Sequence, residues 1–166
     1  MVLGLGLGRD ASGEELSRFG EELDDRTRAR MLDEGLDVLT GLLSGEEVDH
    51  AGVHYTARAR FLPTPARPGG MPIWLAGRWP NQRPIRRALR YDGVFLIDTD
   101  EPAHLTRIAE AAADLGRPFD IVVDALPGDD AARWADAGCT WHLTTFDQFT
   151  TARAHVHAVI EAGPPR

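Results

Sequence analysis

Residues 71–97 of this chain, MPIWLAGRWPNQRPIRRALRYDGVFLI, constrain the fold more than any other stretch. Ile73–Ala76 is a short apolar run without alternation, the signature of a parallel strand covered on both faces. Gly77 lets the backbone turn. Pro80 and Pro84 suit only a helix's first turn, and Asn81 between them is a good cap. Ile85, Ala88 and Leu89 then supply an apolar stripe, with Arg83, Arg86, Arg87 and Arg90 largely off it. Gly93 closes the unit before the next apolar run, Val94–Ile97. A buried strand that feeds a helix N-terminus through glycine, with an arginine beside it, makes an anion site. Free N–H groups and the positive end of the helix dipole converge there.

The same grammar recurs, so five strand-then-helix units are predicted. The first pairs Val2–Gly8 with a helix over about Thr27–Leu43, striped by Leu32, Leu36, Leu39 and Leu43. The second is Ile73–Ala76 with Asn81–Arg90. The third is Val94–Ile97 with Pro102–Leu115, stopped by Gly116 and Pro118. The fourth is Phe119–Asp124 with a helix capped by Asp129 and ended by Gly138, in which Trp134 packs into the core. The fifth is Cys139–Thr145 with a helix capped near Asp147 and striped by Ala152, Val156, Val159 and Ile160. Glu46–His50 and Val53–Ala57, flanking Ala51–Gly52, predict a β-hairpin inserted after the first helix. Repeated βα units mean parallel strands and right-handed crossovers, so the class is α/β. Eight units and about 250 residues close a barrel. Five are an open fraction of one, a partial TIM barrel in a single domain over 1–166.

Composition narrows the chemistry. The 166 residues carry a formal charge of −8, which argues against nucleic acid or an anionic membrane as partner. All 18 basic residues are arginine, so lysine Schiff-base chemistry is excluded. Cys139 is the only cysteine, which rules out an intrachain disulfide and a cysteine metal cluster. No run has the length of a membrane span and no signal-peptide layout opens the chain, so a cytoplasmic protein is expected.

The glycine-rich opening and the 71–97 unit resemble the luciferase-like monooxygenases, the flavin- or deazaflavin-dependent TIM-barrel oxidoreductases. LGLGLGR at Leu3–Arg9 is similar to the family's mid-barrel glycine strand, and RTRARMLDEGLDVLTGLL at Arg26–Leu43 to the long helix after it. SGEEVDHAGVHY at Ser44–Tyr55 looks like the family's hairpin, PIWLAG at Pro72–Gly77 like the strand entering its phosphate loop, and YDGVF at Tyr91–Phe95 like the next strand. The resemblance begins at what would be the fourth strand. It therefore implies the C-terminal half of such a barrel, without the earlier strands and most substrate-facing loops. It also implies an FMN or deazaflavin cofactor that carries the redox chemistry while the protein binds and orients it. A half-barrel exposes an apolar face and a strand edge, so a homodimer is expected. The alternative is a non-catalytic half-barrel that binds flavin or phosphate, or acts only by self-association.

Candidate residues follow. Gly4, Gly6 and Gly8 alternate, so they share one face of a strand; that face either admits a cofactor ring or relieves crowding inside a barrel. Gly77, Arg78 and Trp79 form the turn that, by the resemblance, holds the cofactor phosphate, with Arg78 able to pair bidentately. The family often has a small or hydroxyl residue after this glycine, and Arg78–Trp79 is bulkier. Asp98, Thr99 and Asp100, and Thr144 and Thr145, end strands at the rim where barrel chemistry occurs, or serve as caps and strand ends. His155 and His157, two apart on a helix, make a poor metal pair, and His50 and His54 fall on the hairpin. His142 fits either a pocket or a core position. No nucleophile–base pair is legible, and the catalytic residues stay unassigned.

Overall fold

The computed structural model describes residues 1–13, 15–147 and 149–164, which divide after Pro72 into two compact units. In chain order the described elements give five strand–helix units, with an antiparallel hairpin after the first helix. The α/β class and the unit count match the sequence expectation.

The first unit opens with β1, Leu3–Leu5, shorter than the expected Val2–Gly8. Exposure still alternates as far as Gly8, but Gly8 at φ 71° takes the chain out of the extended conformation. Two 3₁₀ turns, Ala11–Gly13 and Ser17–Phe19, follow, and Asp10 Oδ1 accepts from the amides of Glu15 (3.0 Å) and Ser17 (3.3 Å). Helix α1, Asp25–Ser44, starts two residues earlier than the apolar stripe suggests. Asp24 caps it by accepting from the Thr27 amide at 2.7 Å, which satisfies a donor that the first turn leaves free. Leu36 is its fully buried residue.

The hairpin pairs β2, Val48–Ala51, with β3, Thr56–Ala59, in a register running from Val48↔Ala59 to Ala51↔Thr56. The expected two-residue turn is thus corrected to a four-residue loop, and the cause is Glu34 on α1. Its carboxylate accepts from the amides of His54 (3.0 Å) and Tyr55 (2.8 Å) and lies 3.0 Å from His50 Nε2. Those two amides serve the carboxylate instead of the ladder. The His50 hydrogen bond is the main cause that draws the Glu34 pKa down to about 2.

The second unit is a run of βα repeats: β4 Ile73–Gly77, α2 Gln82–Ala88, β5 Gly93–Leu96, α3 Ala103–Ala113, β6 Asp120–Ala125, α4 Ala131–Asp136, β7 Trp141–Thr144 and α5 Arg153–Ala162. Strands β4, β5, β6 and β7 lie side by side in that order, all parallel. Leu75, Val94, Leu96, Val122 and Val123 from the strands pack with Ile85, Ala88, Leu105, Ile108 and Trp134 from the helices, each 3% exposed or less. The strand residues, with Ile85, Ala88 and Trp134, are those the apolar runs, the 81–90 stripe and the 129–138 helix single out.

A polar bracket fixes the N-terminal ends of the strands. Asp120, at the start of β6, accepts from Trp74 Nε1 of β4 (3.0 Å), Trp141 Nε1 of β7 (3.2 Å) and the Thr140 hydroxyl (3.2 Å). The two indoles meet at 5.6 Å between centroids. Trp74 can reach across only because residue 93 of β5 is glycine: a Cβ there would lie 2.7 Å from both Trp74 Cδ1 and the Asp120 carbonyl oxygen.

Two expected caps are corrected. Asp130, not Asp129, caps α4, accepting from the Ala132 amide at 3.0 Å. Asp129 instead takes Trp134 Nε1 at 2.7 Å and Arg133 Nη2 at 2.8 Å. Asp147 closes a local turn through the amides of Phe149 and Thr150, and α5 begins later, at Arg153, with no side-chain cap. The α5 stripe also fails to find a core: none of its residues is buried, and Ile160 is 69% exposed.

Two outcomes are expected. A carboxylate whose folded pKa is depressed contributes stability above its ordinary pKa and loses it as pH falls through the folded value. Wild-type thermal stability should therefore decline between about pH 4.5 and 2, and Glu34→Gln should lower the melting temperature at pH 7 and flatten that decline. In the second unit, Gly93→Ala should cost about 1–3 kcal/mol in chemical denaturation, the usual scale of overpacking.

Candidate functional site

The best-furnished rim lies at the C-terminal ends of β4 and β5, where Gly77–Asn81 and Asp98–Glu101 come together. Gly77 is buried at the end of β4. A Cβ on it would make only ordinary contacts, 3.4 Å to Val94 Cγ2 and 3.7 Å to Ile85 Cγ1, so neither packing within the chain nor a positive φ requires glycine there. Asn81 caps α2 by accepting from the Arg83 amide (3.2 Å), and its own amide donates to the Arg78 carbonyl (2.8 Å). The backbone N–H groups of Trp79 and Gln82 have no partner among the described residues.

Arg78 is half-exposed, with Nη1 2.7 Å from Asp98 Oδ2. This pair spans the rim from β4 to β5. Guanidinium carries five N–H donors, so pairing with one carboxylate leaves others for an anion. Asp98 sits at φ 54°, the one left-handed non-glycine residue among the described positions. Aspartate is among the few non-glycine residues that take up this left-handed region readily. Neither Asp98 nor Asp100 caps the next helix, since α3 has no side-chain cap.

Sequence reading missed His104 and Glu101. The Trp79 ring stacks on His104 with centroids 5.3 Å apart and planes 22° from parallel. The imidazole Nδ1 lies 3.5 Å from the Thr99 hydroxyl and Nε2 3.6 Å from Glu101 Oε2. The signal was available: Thr99, Glu101 and His104 follow a strand end within one turn of a helix. It was lost because a histidine in a helix's first turn has no distinctive spacing. Thr144 and Thr145, by contrast, are a strand end: Thr145 donates its amide (2.9 Å) and hydroxyl (3.4 Å) to the Ala125 carbonyl.

His142 on β7 is mostly buried. Its Nε2 is 4.0 Å from Asp129 Oδ2, and neither ring nitrogen has a hydrogen-bond partner. The Trp134 indole hydrogen bond, the largest cause, together with Arg133, holds the Asp129 carboxyl below its ordinary range. His50 belongs to the Glu34 clamp. His155 faces Phe146 edge-on at 6.3 Å. Cys139 is half-buried just ahead of β7, and burial raises its thiol pKa.

In the first unit, the three glycines do not act alike. Gly4 is exposed, and a Cβ there would meet nothing within 4 Å, so crowding inside the chain does not explain it. Gly6 lines a cavity of about 210 Å³ with Leu7, Leu16, Arg28, Met31 and Tyr55. Gly8 is the left-handed turn described above. Arg28 pairs with Asp25 through Nη2, and its Nε and Nη1 are buried without a partner.

Parallel strands alternating with helices, with an antiparallel hairpin beside them, define an α/β protein consistent with part of a TIM-type barrel. The chain belongs to the luciferase-like monooxygenase family, whose model matches residues 3–162. Members of this family generally use flavin-type cofactors. No curated protein matches the chain. Among the described residues no helix is long and apolar enough to cross a membrane.

Proposed function

We propose that this chain acts in a flavin- or deazaflavin-dependent oxidoreduction, as the C-terminal half of a luciferase-like barrel. The observation that carries the reading is the family match over residues 3–162. The rim supports it. Two unpartnered amides, a guanidinium with spare donors and a buried glycine without a packing role fit the phosphate of a mononucleotide cofactor. Gly77, Arg78 and Trp79 would hold it.

The bound flavin would supply hydride transfer or oxygen activation. The chain's own residues do the rest. Asp98 holds Arg78 in place, Trp79 excludes water from one side of the turn, and His104, with Thr99 and Glu101 on its two nitrogens, can hold a proton beside it. The alternative, a flavin- or phosphate-binding half-barrel without catalysis, uses the same turn, and turnover of a test substrate by flavin-loaded protein separates the two.

Arg78→Ala should weaken FMN binding by about 1–3 kcal/mol in titration calorimetry and leave riboflavin binding unchanged, because only FMN carries the phosphate. Equal effects on both ligands, or no effect on either, would remove Arg78 from the site. Gly77→Val should harm FMN binding more, since a branched side chain fills the space beside the amides.

The same reading makes the working form a homodimer. β7 ends the strand order, so its outer edge has no strand partner among the described residues, and Trp141 on it and Phe149 shortly after it are exposed. Sedimentation at tens of micromolar should give twice the chain mass, as an interface of more than roughly 1,000 Å² would. A well-behaved monomer would count against the dimer.

A further inference from the structure

We infer that the cleft between α2 and α3 is a second binding site, for a flat aromatic carboxylate. The cleft has a volume of about 220 Å³. Ile85, Leu89, Ile108 and Ala111 form its apolar surfaces, and Trp79 lines it too. The polar side chains on it are Gln82, Arg86 and Arg107. Apolar walls with a few convergent polar groups are the makings of a small-molecule site.

Charge decides the ligand's sign. The chain carries −8 overall, yet residues 78–91 hold five arginines and no acidic residue. Arg86 and Arg107 are exposed and have no ion pair or hydrogen bond among the described residues, even though Glu110 is one helical turn from Arg107. Two guanidinium groups therefore stand over an apolar cleft with their donors unspent. A carboxylate accepts from such a fork in its own plane, and guanidinium planes also stack on aromatic faces. One face of the Trp79 ring is occupied by His104, which fixes the indole as a rigid wall. An anion with an aromatic body satisfies the arginines, the aliphatic walls and the indole together. A neutral aromatic leaves both guanidinium groups unused, and a small hydrophilic anion leaves the apolar surface wet. This site does not depend on the flavin reading, and its test is made without flavin.

The probes are 2-naphthoate, 2-naphthol and acetate, titrated into the full chain by heteronuclear NMR. 2-Naphthoate should shift the Trp79 indole and the Arg86 and Arg107 side-chain signals with a submillimolar dissociation constant. 2-Naphthol and acetate should each bind at least about tenfold more weakly, the scale of losing one charge-assisted or one stacking contribution. The double variant R86Q/R107Q, with its fold checked by circular dichroism, should lose the 2-naphthoate response by about tenfold or more and keep any weak 2-naphthol response. The inference fails if 2-naphthoate does not saturate by a few millimolar, if 2-naphthol binds equally well, or if the double variant binds 2-naphthoate like the parent.

Discussion

The second unit depends on a single carboxylate placed where three strands begin. Asp120 receives two indole N–H groups and a hydroxyl, so β4, β6 and β7 are pinned at one end by hydrogen bonds that work only in one register. β5, between β4 and β6, contributes the absence of a side chain at Gly93. Apolar strands tolerate slippage poorly but do not by themselves choose a register. The bracket chooses it, and by fixing the bottoms of the strands it fixes where their tops, and hence the Gly77 and Asp98 turns, come to lie.

Glu34 plays the corresponding part in the first unit. A helix and a two-stranded hairpin have little surface to bury together, and a lone hairpin is marginal in water. A buried-side carboxylate that collects two loop amides and an imidazole gives the hairpin a defined seat on the helix without a large core. The cost is dependence on ionisation, since a protonated Glu34 loses acceptor capacity toward three donors.

The fold was legible because its signals are redundant. Ile73–Ala76, Val94–Ile97 and Ile121–Val123 are short unbroken apolar runs of the length of covered strands, and glycine or proline punctuates each unit. What was misread shares one cause: competition among polar groups for backbone amides. Asp129 and Asp130 are equally good caps on paper, and only the position of the Trp134 indole assigns Asp129 elsewhere. The hairpin turn looked like Ala51–Gly52 because nothing in the local sequence shows that Glu34, twenty residues away, withdraws two amides from the ladder. At the rim, Gly77, Arg78 and Trp79 were marked by the strand–turn–helix pattern. His104 carries no distinctive spacing, and its stacking on Trp79 is a tertiary fact.

In the second unit, spatial order repeats chain order: each strand pairs with the one that precedes it and the one that follows. Interactions are then mostly between nearest neighbours along the sequence, the property that lets solenoids gain or lose modules. Loop closures are short, so little entropy must be spent before contacts form, and assembly can proceed one βα step at a time from either end. An architecture of this kind has no single keystone strand. Only the Asp120 bracket, which joins β4 to β6 and β7, ties steps that are not neighbours along the chain.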